Sequence, residues 1–112
     1  MGYTPAKGDI VWVEFSPQAG RETKDRHAAL VLTPAAYSVA TGLALVVPLT
    51  TKAKGGTFEI AVRGARKAKG VILANELRTI DYQARNVRKF DDCPPEALLS
   101  VQAIAEAIIK GE

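Results

Sequence analysis

The chain changes its hydrophobic period once, near residue 94, and that single change restricts what it can fold into. Before it, apolar residues recur with a period of two in short segments. In "KGDIVWVEF" (7–15), Ile10, Trp12 and, less cleanly, Glu14 fall on one face, and Val11, Val13 and Phe15 on the other. In "TFEIAVRG" (57–64), Phe58, Ile60 and Val62 oppose Thr57, Glu59, Ala61 and Arg63. "AALVLTP" (28–34) is nearly all apolar, as a strand buried on both faces is. "LALVVPLTT" (43–51) is the next strand, with Pro48 marking an edge, a bulge or a strand end. "VILANELRTID" (71–81) starts as a strand and passes through a polar middle, and "NVRKFD" (86–91) is a short strand candidate. "AAYSVATG" (35–42), "KAKGG" (52–56) and "ARKAKG" (65–70) read as turns.

The tail has a different period. In "PPEALLSVQAIAEAIIKG" (94–111), Leu98, Val101, Ala105 and Ile108 lie at helical spacing, and Leu98, Val101 and Ile108 read as core. Pro95 and Glu96 suit a helix start, and Gly111 a stop. The expected architecture is a small β-barrel or strongly bent sheet capped by a C-terminal helix. At 112 residues the whole chain, 1–112, is expected to form one domain.

Charge is unevenly spread along this frame. Residues 1–50 carry four cations and four anions, residues 51–90 ten and three, and residues 91–112 one and five. The net charge of +3 therefore hides a middle of +7 and a tail of −4. A basic middle suits a polyanion partner, because Lys and Arg gain by displacing counterions from phosphate. A solubilising surface is the bland alternative. The lone Cys93 cannot form an internal disulfide, and no run approaches the ~20 apolar residues that span a bilayer. The expected location is the cytoplasm, with no membrane attachment.

Several chemistries lack their residues. One His, one Cys and no carboxylate pair at ligand spacing give no zinc site. No phosphate-loop, dinucleotide or nucleophile-elbow motif is present. An enzyme of this composition is expected to work without metal or cofactor.

One loop has the residues for acid–base work on a phosphate. "GRETKDRHAA" (20–29) holds Glu22, Arg26 and the chain's only histidine, His27. In RNA the 2′-hydroxyl can attack the adjacent phosphate and expel the 5′-oxygen. That reaction requires one proton removed, one returned, and added charge on the phosphorane stabilised. A carboxylate, an imidazole and a guanidinium are the right types. DNA lacks the nucleophile, so the mechanism itself selects RNA. Against this stands the ordinary reading of such a loop, a solvated surface with weak ion pairs worth at most about 1 kcal/mol.

The ordered segments "GDIVWVEFSPQAGRE", "ALVLTPAAY", "VVPLTTKAKG", "GVILANELRTID" and "ARNVRK" together resemble the MazF/PemK family of toxin endoribonucleases, from Lys7 to the C-terminal helix. The resemblance implies a mainly β fold, an SH3-like barrel (CcdB/PemK-like) with short helical segments and one C-terminal α-helix. It implies a homodimer that cleaves single-stranded RNA at short motifs without metal. It also implies a MazE-like cognate antitoxin whose acidic tail occupies the RNA groove. Glu22 matches the family's first-loop glutamate, and Thr50 its catalytic threonine. The family's Arg-Pro falls on His27 and Ala28, with Arg26 one position early. Either His27 takes the arginine's place and Arg26 points away, or the loop absorbs one residue and Arg26 reaches the site. Thr51, Lys52, Lys54, Asn75 and Arg78 are the expected RNA contacts; for Arg78 a structural ion pair with Glu76 or Asp81 is the competing role. Two other functions stay open: a barrel that binds RNA or a partner without cleaving, and a gyrase-poisoning toxin on a similar fold.

Overall fold

The computed structural model describes residues 2–14 and 26–111. Seven strands form antiparallel pairs throughout: β1 (Asp9–Glu14), β2 (Arg26–Val31), β3 (Leu43–Thr50), β4 (Glu59–Ala61), β5 (Val71–Leu73), β6 (Arg78–Asp81) and β7 (Arg88–Asp92). Their order is β4-β5-β3-β2-β1-β7, and β6 also joins β3. Two helices complete the chain, α1 (Ala35–Thr41) and α2 (Pro95–Lys110).

Strand β3 is the organising element. Its first half pairs with β6, from Leu43↔Asp81 to Val46↔Arg78, and its end pairs with β5 through Leu49↔Ile72 and Thr50↔Val71. Pro48 lies between these two partners, where a strand loses little by lacking an N–H on that side. Along the other edge β2 is continuous with β3 (Ala29↔Pro48 to Val31↔Val46) and with β1 (Ile10↔Leu30 to Glu14↔Arg26).

The period of two divides the core across this sheet. Ile10, Leu30, Val47 and Ile72 are fully buried on one face, beneath Ala97, Val101 and Ala105 of α2. Val11, Val13, Val31, Val46 and Ile80 form the second cluster. Each fully buried Val, Leu or Ile contributes about 1.5–3 kcal/mol, so the two clusters account for why the strands take this register.

Three local expectations are corrected. "AAYSVATG" forms the short helix α1, closed by Gly42 at φ 75° with its amide on the Ser38 carbonyl; the small residues that suggested a turn also suit a helix. "TFEIAVRG" contributes only three strand residues, and Phe58 is 42% exposed, because the carboxylate of Glu59 accepts the Lys54 and Gly55 amides at 2.9–3.1 Å and folds the preceding segment into a loop. Ile108 is 44% exposed rather than core. Helical spacing specifies a face of α2, not how far along that face the core extends.

Candidate nucleic-acid site

Strand β2 begins at Arg26, and this decides where the two basic residues point. The register with β1 sets Arg26 against Glu14, His27 against Val13 and Ala28 against Trp12. Neighbouring residues of a strand face opposite ways. Arg26 lies on the Trp12 side, its guanidinium carbon 4.2 Å from the centre of the Trp12 ring. Trp12 also stacks on Phe90 of β7, centroids 4.3 Å apart and 14° from parallel. Arg26 is therefore held by a cation–π contact, worth about 0.5–1 kcal/mol at an exposed position. His27 projects from the other face. Strand alternation thus sets Arg26, held on Trp12, and His27 on opposite faces of β2.

Two cavities meet at His27. The first, about 390 Å³, is lined by Trp12, His27, Ala28, Leu49, Thr50, Thr51, Lys67, Ala68, Lys69 and Phe90. The second, about 480 Å³, is lined by His27, Val46, Pro48, Glu76, Leu77 and Arg78. His27 thus joins Thr50 and Thr51 on one side and Arg78 on the other. Extending the Ala29↔Pro48 register by two residues sets His27 across from Thr50, which explains why two distant segments share a wall.

Thr50 is held in a way that leaves its chemistry available. Its Oγ1 accepts the Lys52 amide at 3.1 Å. A hydroxyl has one donor besides its lone pairs, so the Thr50 O–H can still donate to a phosphate oxygen. The backbone at Thr50 is fixed by Gly70, at φ 95°. A Cβ there would lie 2.1 Å from the Thr50 carbonyl oxygen, so only glycine permits this approach.

The remaining expected residues separate. Lys52, Lys54 and Asn75 are exposed and line neither cavity, although the loop of Lys52 and Lys54 adjoins Thr50 and Thr51. Arg26 lines neither. Glu22 lies outside the described residues. Three groups were missed by sequence reasoning: Lys67 and Lys69 in the first cavity, and Glu76 as a wall of the second. The +7 middle of the chain was the signal for the lysines, but "ARKAKG" has no periodicity that would aim them.

A buried carboxylate shapes that basic turn. Asp91 Oδ2 accepts the amides of Lys67 and Ala68 at 2.6 and 2.7 Å, and Oδ1 accepts the amide of Asp92 at 2.8 Å. Burial by itself pushes the Asp91 carboxyl up, but the amides of Ala68, Lys67, Asp92 and Arg66 together outweigh it and hold the group below the usual carboxylate value.

This fold has known counterparts. The family model for the PemK-like, MazF-like toxins of type II toxin–antitoxin systems matches residues 6–109. The chain belongs to that family. It is 37% identical over 107 residues to the endoribonuclease toxin MazF of Escherichia coli K12, spanning 96% of each chain. It superposes on MazF of Deinococcus radiodurans with a TM-score of 0.85 at 37% identity, covering 97% of this chain and 99% of that one. For the MazE–MazF structure of the same organism the TM-score is 0.85 at 33% identity, covering 96% and 97%. Within the MazF/PemK frame this member carries His27-Ala28 where the resemblance expects Arg-Pro, and the register of β2 keeps that substitution in the wall of the site.

Proposed function

We propose that this chain, acting as a single toxin domain, is an endoribonuclease that cleaves single-stranded RNA at short motifs by metal-independent attack of the 2′-hydroxyl. The observation that carries this reading is the shared cavity of His27, Thr50, Lys67 and Lys69 in a MazF/PemK family member. A base takes the 2′-hydroxyl proton as the 2′-oxygen bonds to phosphorus. The bond to the 5′-oxygen breaks, and that oxygen receives a proton. The products are a 2′,3′-cyclic phosphate and a 5′-hydroxyl. His27 moves one of these protons, and Glu22 serves as the second group. The Thr50 hydroxyl donates to a non-bridging oxygen as charge develops. Arg26, held on the Trp12 ring that lines the first cavity, adds permanent positive charge beside the phosphorane. Thr51 and Arg78 contact the flanking nucleotides from the two cavities, and Lys52, Lys54 and Asn75 contact them from the rim.

The partners follow from the same reading. The likeness to a MazE–MazF structure supports a MazE-like antitoxin, with an acidic tail that covers the basic middle of the chain. The protein acts as a homodimer in the cytoplasm. No helix among the described residues is long and apolar enough to cross a membrane. The relatives' names support cleavage over a non-cleaving binding barrel or a gyrase poison.

Thr50→Val and His27→Ala, each assayed on a single-stranded RNA pool, test the site. Loss of one donor to developing charge costs about 10²–10³ in rate, and loss of one proton-transfer group about 10²–10⁴. Unchanged cleavage by both variants would move the site elsewhere.

A further inference from the structure

The turn at residues 66–69 is not built like a solvated run of charge. Asp91, only 8% exposed, receives the Lys67 and Ala68 amides and draws Ala68 inward to 7% exposure. Lys67 and Lys69, on either side of Ala68, stay exposed and line the cavity of His27 and Thr50. The carboxylate uses its oxygens on backbone N–H groups, so it fixes the turn without neutralising the ammonium groups. Among the described residues neither ammonium has an ion-pair partner; the pairs present join Lys89 to Asp9 and Asp92.

We propose that Lys67 and Lys69 form a phosphate-binding subsite for an RNA phosphodiester at or next to the cleaved bond, with Asp91 as the residue that positions them. The subsite supplies permanent positive charge beside the His27 imidazole and the Thr50 hydroxyl. This inference rests on the ribonuclease reading above.

The test is binding of a 2′-O-methyl oligoribonucleotide, which has no free 2′-hydroxyl and stays intact, at several salt concentrations. The full chain is compared with the Lys67→Ala, Lys69→Ala double variant, with Asp91→Asn, and with Lys110→Ala at the far end of α2. Each phosphate contact on a single strand contributes about 0.7 to the slope of log K against log salt. The lysine double variant is expected to lose about 1.4 of that slope and to bind at least ~10-fold more weakly at low salt. Lys110→Ala keeps the wild-type slope. Asp91→Asn removes a negative charge, which alone would tighten RNA binding; a positioning role weakens it instead. Should Asp91→Asn fail to fold, the exposed lysines still decide the matter. A wild-type slope in the double variant, or tighter binding by a folded Asp91→Asn, overturns the inference and leaves the ribonuclease reading standing when wild type cleaves RNA. Wild-type protein that neither binds nor cleaves RNA overturns both.

Discussion

His27 faces both cavities, and the consequences of an imidazole at that point are chemical rather than structural. A guanidinium is always charged and can grip two phosphate oxygens at once through its fork of donors; an imidazole has no such fork. The double substitution His27→Arg, Ala28→Pro removes the proton-transfer group but adds a permanent phosphate ligand, so it is expected to cleave a fixed RNA in a single turnover about 10-fold or more faster than His27→Ala, about 1.4 kcal/mol of regained transition-state stabilisation. No gain over His27→Ala in a folded variant would mean that position 27 does not face the reacting phosphate. The ambiguity between Arg26 and His27 shows how far the sequence could be read. Alternation established that the two residues point apart, but a long loop leaves open where the strand begins. The structure starts the strand at Arg26 and sets that side chain on Trp12, across β1 and β2. Thr50 was named through the family resemblance and forms the last residue of the well-marked strand β3. Lys67 and Lys69 were not legible, because a buried carboxylate 22 or more residues away folds their turn.

At the scale of elements, the region between β4 and β7 shows the same division. "VILANELRTID" reads as one strand with a polar middle; it forms β5 and β6, separated by a turn at Ala74 and Asn75, and both pair with β3. Which strand pairs with which is a long-range matter that local period does not encode. The C-terminal helix was legible from Pro95 to Lys110 because its signals are local: a proline in the first turn, a 3.6-residue stripe and a closing glycine. The hold of β7 on the basic turn has a pH signature. The Asp91 carboxyl is lowered in the folded chain, so its contribution is full above the ordinary carboxylate value of 3.8 and is lost as pH falls through the lower native value. Thermal unfolding between pH 5 and about pH 2 is expected to show a steeper acid decline for wild type than for Asp91→Asn. Parallel declines would mean that the amides do not favour the charged form.

For the whole molecule, the uneven charge and the curved sheet belong together. The sheet brings the end of β3, the start of β2 and the basic turn to one place, where Lys67 and Lys69 of the +7 portion of a chain whose net charge is only +3 line the cavity. Such a surface attracts RNA and, under the same physics, an acidic antitoxin tail. The fold class was legible at this scale because one change of period separates sheet from helix. The first-loop glutamate, Glu22, was read only as a motif position and lies outside the described residues. The central claim is that this site cleaves RNA through its own 2′-hydroxyl, and end-group analysis tests it most directly. Purified protein is incubated with a mixed single-stranded RNA in EDTA, and the fragment termini are determined. The account predicts discrete fragments ending in 2′,3′-cyclic phosphate and beginning with 5′-hydroxyl; intact RNA at high protein concentration, or fragments with 5′-phosphate and 3′-hydroxyl ends, would contradict it.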